Sequence, residues 1–426
     1  MNKYMLNSKL VSNQLRPSFG KVDLKNEIIF RWYALDRILL VCFVLWFLTM
    51  PLMGFGQEQF SVPERWDYAY EAHPALELNQ NMPEGPFVRI GPKSIVSAWS
   101  PSGQDVLLSN DNGDTWKKSR IFSDTSQFKI NAKAIQQTKD GVIVLAFTNI
   151  KEANWTWSDE LKDAPGAVLP TYVTRSMDNG NTWTKPVKLH DDWTGHIAKM
   201  IVTRDNHIVF TSMMMRHNPG RHTVLTYMSA DNGETWTRSN VIDLGGSGHH
   251  GGVTEPTLVE LKDGSLRMLI RTNWMEFWDA QSLDGGRTWH PLGPSRIPAS
   301  PSHGQLQRLS SGRIVLVWNR PFPEGSNSYP MVGGDQVWSA VPVSNFRGEL
   351  SMAFSDDEGK SWSTPTVIAS TKTLGFRKAT AGGAGKYMPQ REISYPHVFE
   401  YEPGVLWITT ARGPLRAIVK EKDFAK

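Results

Sequence analysis

The chain has 426 residues, of which 40% are apolar and 21% are charged, and its net charge is +4. This apolar content excludes a disordered chain, and the mild charge, with Lys and Arg scattered singly, argues against a nucleic-acid partner. The 35 Gly, 26 Pro and 17 Trp residues favour a turn-rich all-β fold over a helical one.

The first predicted element is an N-terminal export signal. An apolar run from Ile38 to Met53 follows Arg37, and it is shorter than the roughly 20 residues that a membrane span needs. We therefore expect a signal peptide around residues 37–57 and a secreted or periplasmic protein without stable membrane insertion; anchoring by an uncleaved segment is the less favoured alternative. The only cysteine, Cys42, lies inside this run, so disulfides would not support the mature fold.

One turn motif, SxDxGxTW, recurs five times after this segment. The copies are Ser109 to Trp116, Ser176 to Trp183, Ser229 to Trp236, Ser282 to Trp289 and Ser355 to Trp362, the last with Ser361 in place of Thr. Its Asp can accept backbone N–H bonds, its Gly can adopt positive φ, and its Trp can pack underneath, which makes a self-contained hairpin turn. Because one active site cannot use five equivalent turns, we expect these carboxylates to be structural.

A second kind of hairpin alternates with these turns. Strand-turn-strand patterns begin at Ala134, Lys199, Pro256, Leu306 and His397. One such hairpin and one motif hairpin together make a four-stranded antiparallel sheet, the size of a propeller blade. The last hairpin has no motif after it and the first motif has no clear hairpin before it. The pattern therefore predicts an all-β, six-bladed β-propeller whose N- and C-terminal segments share the closing blade, with seven blades as the alternative.

These turns are the Asp boxes of the BNR repeat, and from Phe87 to the C-terminus the chain resembles the sialidase (neuraminidase) superfamily. The domain prediction is an N-terminal region with the signal (1–57), a lead-in (58–86) and a sialidase-like propeller (87–426). Asp boxes also occur in binding propellers, so function must be argued from other segments.

Three segments resemble the parts of that family that carry its chemistry. EPTLVELKDGSLRMLIRT resembles the segment with a catalytic Glu and a carboxylate-binding Arg, which implies these roles for Glu255 and Arg271. FRGELSMAFSDDEGKSW implies a second carboxylate-binding residue, Arg347, and REISYPHVFEYEPGVLWITTARG implies a tyrosine nucleophile, Tyr395. A planar guanidinium suits bidentate carboxylate binding, and a neutral phenol avoids repulsion by an anionic sugar. The structural alternatives are strand-end ion pairs for the arginines and core packing for the tyrosine.

The chain differs from the family at the position of the family's first carboxylate-binding arginine. FKINAKAIQQTKDGVIVLAF lies where the family has FRIPAL, so Lys129 and Asn131 stand in place of Arg and Pro. Arg89, in an RIGP string, is the alternative, but no hairpin is evident between it and the first box. We prefer Lys129 as the third substrate-binding cation, although lysine lacks the bidentate fork of arginine.

The general acid is expected on the long loop after Phe147. KDAPG resembles the acid-bearing loop of the family, which implies that role for Asp163, with Glu152, Asp159 and Glu160 as alternatives. A carboxylic acid in a cleft with a raised pKa can protonate a leaving oxygen.

The resemblance implies a secreted glycoside hydrolase that releases a terminal acidic sugar, sialic acid or a related one, from a glycan by a retaining mechanism without a cofactor. Tyr395 would be the nucleophile, Glu255 its base and Asp163 the acid. Two other hypotheses remain open, an enzyme that acts on uronic-acid polysaccharide by elimination or His-assisted hydrolysis, and a non-catalytic glycan-binding propeller. Histidines in predicted loops favour the former; they are His196, His217, His222, His249, His250 and His303. No HxH or HExxH spacing indicates a metal site.

Overall fold

The structure is a computed structural model that describes residues 64–371, 376–377, 388–389 and 391–424. The predicted export signal and Cys42 lie outside the described residues. Within them, no helix is long and apolar enough to cross a membrane. In the part of the chain that the structure describes, the helical turns are short 3-10 segments at Glu64–Trp66, Ile150–Glu152 and Glu421–Asp423.

Four-stranded antiparallel sheets follow one another along the chain after two short N-terminal strands, β1 (Glu71–Ala72) and β2 (Glu77–Leu78). Blade 1 consists of β3 (Phe87–Arg89), β4 (Ile95–Ser97), β5 (Asp105–Ser109) and β6 (Lys117–Arg120). Blade 2 consists of β7 (Ile130–Gln137), β8 (Ile143–Asn149), β9 (Thr171–Ser176) and β10 (Val187–His190). Blade 3 consists of β11 (Met200–Val202), β12 (Ile208–Arg216), β13 (Arg221–Ser229) and β14 (Thr237–Arg238).

The remaining blades contain the C-terminal half. Blade 4 consists of β15 (Thr254–Glu260), β16 (Leu266–Arg271), β17 (Glu276–Ser282) and β18 (His290–Pro298). Blade 5 consists of β19 (Gln305–Arg308), β20 (Ile314–Trp318), β23 (Glu349–Ser355) and β24 (Thr366–Ser370), and β1 pairs with β24 as a fifth, outer strand. The hairpin β21 (Met331–Gly333) and β22 (Pro342–Ser344) is inserted after β20. Blade 6 consists of β27 (Ser394–Glu402), β28 (Val405–Arg412) and β29 (Arg416–Lys420), preceded by the short pair β25 (Phe376–Arg377) and β26 (Met388–Pro389).

The six blades close into a ring around their first strands. Each of β3, β7, β11, β15, β19 and β27 contacts the next, and β27 returns to β3. Apolar side chains from neighbouring blades pack between the sheets; for example, Val144 and Ala146 of β8 share a cluster with Ile208 and Phe210 of β12. The prediction of a six-bladed propeller is confirmed.

The ring is closed by both ends of the described chain. β2 pairs with β29 and supplies the outer strand of blade 6, which confirms a closing blade shared by N- and C-terminal segments. One detail of the prediction was wrong, because the first Asp box does have its own hairpin, β3 and β4, and so completes blade 1. These strands have only three residues each, too few for a recognisable alternation. Arg89 ends β3 and donates to the Tyr401 carbonyl of blade 6.

The Asp boxes form the turn between the third and fourth strands of blades 1 to 5. In the third copy, Asp231 Oδ1 accepts from Ser229 Oγ (2.7 Å) and from the Thr235 N–H (2.9 Å). Trp236 Nε1 donates to the Gly233 carbonyl at 3.1 Å. Because neighbouring strands are antiparallel, these turns lie at the opposite end of each blade from the start of its first strand. One face of the ring therefore carries the boxes and the other is free for chemistry.

Candidate active site

Each blade places one polar side chain at or near the start of its innermost strand, on the face opposite the boxes. In blade order these six mouth residues are Glu84, Lys133, His196, Glu255, His303 and Tyr395. They are close enough to interact: the rings of His196 and His303 are 5.1 Å apart, and those of His303 and Tyr395 are 4.7 Å apart. The fold therefore gathers residues from the whole described chain at one mouth.

Tyr395 and Glu255 form the centre of this mouth. The Tyr395 hydroxyl donates to Glu255 Oε1 at 2.8 Å and accepts from Arg271 Nη1 at 3.1 Å. Arg271 also forms an ion pair with Glu255 Oε2. All three side chains are buried, with relative exposures of 7%, 9% and 4% for Tyr395, Glu255 and Arg271. A phenol that donates to a carboxylate has the geometry that transfer of its proton requires.

The electrostatics keep that carboxylate ionised. Burial by itself would raise the pKa of Glu255, but the positive charge of Arg271 and the hydrogen bond that it donates outweigh burial and hold this pKa well below its usual range. Glu255 is therefore an acceptor at neutral pH, as a base for the tyrosine must be.

Arg347 approaches the same tyrosine from blade 5. Its guanidinium carbon is 5.5 Å from the centroid of the Tyr395 ring. It donates to Glu392 at 3.2 Å, to the Pro301 carbonyl at 2.6 Å and to Asn345 at 3.0 Å, and it is only 4% exposed. Arg347 is thus rigidly held beside Tyr395.

A third arginine at the mouth, Arg412, was missed by the sequence argument. Its guanidinium carbon lies 4.4 Å from the Tyr395 ring centroid, and 43% of its side chain is exposed. Its nearest carboxylate is Glu392, at 3.7 Å. The pairing of the two hairpins could have indicated Arg412. Arg412 ends the second strand of blade 6 and pairs with Ser394. Arg271 ends the second strand of blade 4 in the same way and pairs with Thr254. In each hairpin the next residue along the inner strand is a mouth residue.

Among the described residues, the side chain of Lys129 forms no hydrogen bond or ion pair with a mouth residue. Its side chain is exposed, and its N–H donates to Asn149 Oδ1 at 3.0 Å, just before β7 begins. Lys133, four residues further along, lies near Glu84 instead, and burial lowers its pKa while the charge of Glu84 opposes that shift. A register shift between Ile130 and Lys133 turns this strand, and the sequence pattern gave no sign of it.

Asp163 lies on the loop between β8 and β9, buried to 3% exposure. Its carboxylate accepts from His217 Nδ1 (2.9 Å), from the Asn218 N–H (3.1 Å) and from the Ala164 N–H (2.7 Å). Burial would raise the pKa of Asp163, but these donors, above all His217, lower it overall. The expected raised pKa is therefore not found, and the carboxylate orients an imidazole instead.

The three alternative candidates for the general acid, Glu152, Asp159 and Glu160, do not share the histidine contact of Asp163. Glu152 accepts from the Tyr172 hydroxyl at 2.6 Å and from Lys188 at 2.7 Å, and Asp159 and Glu160 are exposed.

The loop between β8 and β9 has a small core of its own. Trp155, Trp157 and Trp193 pack with Ala164 and Met215, and Trp155 lies 4.4 Å from Trp193 between ring centroids. This cluster holds in place the loop that carries Asp163.

Two mouth histidines are neutral and incompletely bonded. Burial lowers the pKa of His196 to about 3 and that of His303 to about 4. His303 Nε2 donates to the Pro396 carbonyl, which leaves Nδ1 as an acceptor, and neither His303 Nδ1 nor His196 Nε2 has a hydrogen-bond partner within the described structure. Buried polar atoms without partners are costly, so a ligand that bonds them would be favoured here.

Comparison with known proteins identifies the family. The family described as "BNR repeat-like domain" matches residues 104–408. The chain belongs to this family, within the sialidase superfamily. The resemblance inferred from the Asp boxes is thereby confirmed.

Its relatives include a sialidase of Clostridium perfringens, 28% identical over 208 residues, which are 44% of this chain and 52% of the relative. An anhydrosialidase of Macrobdella decora is 34% identical over 162 residues, covering 34% of this chain and 20% of the relative. The chain thus spans about half of the clostridial relative and less of the other.

Solved structures share the fold at low identity. The Hadza microbial sialidase Hz136 superposes with a TM-score of 0.51 at 17% identity over 79% of this chain and 65% of that one. A Dyadobacter fermentans protein of unknown function gives 0.50 at 17% identity over 78% and 92%.

Proposed function

We propose that this protein is a retaining glycoside hydrolase that releases a terminal acidic sugar, sialic acid or a related one, from glycans. The observation that carries the proposal is the 2.8 Å hydrogen bond from the Tyr395 hydroxyl to an ionised, buried Glu255, beside three arginines. Family membership and the sialidases among its relatives support the same class of reaction.

In the first step Tyr395 Oη attacks the anomeric carbon while its proton passes to Glu255. Arg271 donates to the same oxygen, which stabilises the phenolate character that develops as the proton leaves. The glycosidic bond breaks and leaves a tyrosyl-sugar intermediate. Water then attacks the anomeric carbon from the side of the departed group, and Glu255 returns the proton to Tyr395, which gives retention.

The leaving oxygen needs a proton, and we assign its transfer to Asp163 acting with His217. The ionised carboxylate holds His217 through Nδ1, and 38% of the His217 side chain is exposed. A protonated imidazole so oriented can donate from its other nitrogen, and the neutral imidazole can later accept the proton of the attacking water. Asp163 thus keeps a part in acid catalysis through its partner.

The carboxylate of the sugar would be bound by arginine. Arg347 uses three of its five N–H donors on protein acceptors and is 4% exposed, whereas Arg412 is exposed on one side and only loosely paired with Glu392. A planar guanidinium can bond both carboxylate oxygens at once, so Arg412 takes the part predicted for Lys129.

Elimination from a uronic-acid polysaccharide is the second candidate. One observation favours it. The neutral rings of His196 and His303 lie against the Tyr395 ring, and one nitrogen of each has no hydrogen-bond partner within the described structure. Neutral imidazoles could bond sugar hydroxyls in either reaction, but a base beside a tyrosine also suits proton abstraction next to a carboxylate.

The deciding experiment incubates purified protein with sialosides, related nonulosonic acids and uronic-acid oligosaccharides. A free acidic sugar, first released as the α-anomer by NMR, supports the proposal. An ultraviolet-absorbing unsaturated product would replace it with elimination, and binding without turnover on every substrate would replace it with a glycan-binding role.

The apolar run after Arg37 supports export, so we also propose that the propeller, which already includes the short strands β1 and β2, acts outside the cytoplasm. Sequencing the N-terminus of the mature protein tests this: a start near residue 57 agrees, and an intact residue 1 contradicts it.

A further inference from the structure

A cavity of about 290 Å³ lies on the axis of the ring, further along the inner strands than the mouth residues. It is lined by the first strands of blades 1, 2, 3, 5 and 6. A neighbouring cavity of about 480 Å³ shares Gln136, Lys199 and Gln307 with it. Since one water occupies about 30 Å³ of liquid, the smaller cavity has room for an ion together with several waters.

Lys199 is the feature of this cavity that packing does not explain. It is 7% exposed, and its ammonium makes one hydrogen bond, to Gln307 Oε1 at 2.9 Å. An ammonium has three N–H donors, so two remain available. No carboxylate of the described residues pairs with it, whereas Lys188 on the surface pairs with both Glu152 and Asp191.

The other charged groups that line the axial cavity are already engaged. Arg89 donates to the Tyr401 carbonyl at 2.6 Å, and His397 is kept neutral because burial lowers its pKa well below the usual value. Glu400 accepts from the Ser310 N–H at 2.8 Å and from the Gly404 N–H at 3.0 Å, which commits its carboxylate to those loops.

In the neighbouring cavity the lining carboxylate, Glu260, pairs with Arg204, and Arg308 pairs with Glu358. Lys262 also pairs with Glu358, at 3.4 Å. None of these groups neutralises Lys199.

We propose that the axial cavity binds one small anion, a halide or a small carboxylate, through the ammonium of Lys199. The bound anion supplies the missing counter-charge, and the glutamine amides and cavity waters complete its surroundings. An isolated buried ammonium costs several kcal/mol, so the empty site would favour the neutral amine and the filled site the charged one.

Proton uptake follows from this arrangement. Burial lowers the pKa of Lys199 to about 7, so at pH 8 most of the amine is neutral in the absence of an anion. Binding of an anion then draws close to one proton from the buffer. An anion held at the mouth can also charge Lys133, whose pKa burial lowers, so proton uptake is assigned to the axial cavity only where Lys199→Met abolishes it.

The test is isothermal titration calorimetry at pH 8 with sodium chloride and with sodium formate, each in two buffers of different ionisation enthalpy and with bulky buffer anions. The wild-type protein is expected to bind one anion saturably and to take up close to one proton. Chloride alone would identify a halide site and formate would identify a carboxylate site. Absence of saturable, proton-coupled binding of either probe means a cavity that holds water only and overturns the proposal.

Two variants locate the site. Lys199→Met should weaken binding about 10- to 100-fold, the value of a hydrogen bond to a charged group, and abolish proton uptake. Lys117→Met, at an exposed position of β6, should bind like the wild type. Unchanged proton-coupled binding in Lys199→Met would overturn the proposal, and if that variant does not fold, absence of proton-coupled binding in the wild type still does. Tyr395→Phe should bind the anion normally, so this result is independent of the proposed hydrolysis.

Discussion

Glu255 and Tyr395 share a backbone conformation that residues other than glycine rarely adopt, with φ of 45° and 58°. Such a conformation costs about 1–3 kcal/mol at each residue and persists only where the surrounding structure enforces it. At Glu255 it coincides with a register shift in β15 between Thr254 and Thr257, which turns the side chain toward the tyrosine. The hydrogen-bonded pair is therefore held in place by two strained strand starts before any substrate arrives.

The hydroxyl of Tyr395 is expected to be essential for turnover. Tyr395→Phe should lower kcat by about 10³-fold or more, because it removes the nucleophilic oxygen but leaves the ring packed against His303. Activity is followed by release of the sugar, and the fold by the thermal midpoint. Tyr401→Phe, on the box side of blade 6, is the matched control and should retain full activity. Wild-type turnover in Tyr395→Phe would remove the proposed nucleophile.

Arg412 and Lys129 should respond in opposite ways to substitution. Arg412→Ala should raise KM about 10- to 100-fold because a charge-assisted bidentate contact is lost, and Arg412→Lys should recover part of that loss. Lys129→Ala should leave kcat and KM unchanged, since its side chain is exposed and pairs with no mouth residue among those described. A KM effect in Lys129→Ala with none in Arg412→Ala would reverse the assignment.

The pair of Asp163 and His217 should matter according to the leaving group. Asp163→Asn and His217→Gln should each slow hydrolysis of natural glycosides by about 10²- to 10⁴-fold, the usual value of acid catalysis. Aryl glycosides with acidic phenols should be affected much less, because their leaving oxygen needs little protonation. Glu160→Gln serves as the control on the same loop. Equal losses on both substrate types would assign the pair a purely structural role.

Acid should destabilise the protein through its buried histidines. Burial lowers the pKa of His303 to about 4, whereas the unfolded imidazole titrates near 6.5. Between these values the unfolded chain binds more protons, so this contribution is complete above pH 6.5 and is lost as the pH falls toward 4. His303→Asn should reduce the pH dependence of the unfolding free energy by about 1.4 kcal/mol per pH unit in that window. Urea unfolding at a series of pH values measures it, and His290→Asn, an exposed position in β18, should change nothing.

The Asp boxes should affect stability without affecting catalysis. Asp231→Ala removes an acceptor of several hydrogen bonds and should lower the unfolding free energy by about 1–3 kcal/mol. Its KM should stay at the wild-type value because the box lies on the opposite face from the mouth. Asp205→Ala, in an exposed turn on the box side of blade 3, is the comparison and should leave the thermal midpoint unchanged. A raised KM in Asp231→Ala would contradict the separation of the two faces.

The fold could be predicted because the turns that mark its hairpins are formed by residues close together in sequence. Each box closes its bonds within eight residues, as Ser229 to Trp236 do, so the repeat is visible without any knowledge of distant contacts. The closing strand β2 has two residues and no pattern of its own. Its position is determined by pairing with β29, at the other end of the described chain. A contact between residues so far apart in sequence cannot be predicted from the local pattern of β2.

Within the site, the sequence predicted the residues that lie in long motifs, namely Glu255, Arg271, Arg347 and Tyr395. The substrate-binding role predicted for Lys129 stays a prediction, and the mouth residue of blade 2 is Lys133, which follows a register shift in β7 that the sequence pattern does not show. The pKa of Asp163 could not be predicted because its donors, His217 and the Asn218 N–H, come from blade 3. The position of Arg412 could not be predicted without the register of the β27–β28 hairpin in blade 6, and that register is known only from the structure.

The six mouth residues, one from each blade, also bear on how such a protein can diversify. Since each lies at the start of a strand, away from the boxes that specify the turns, a substitution there alters the reaction while the determinants of folding stay intact. A lineage can therefore explore new substrates through independent changes in separate blades.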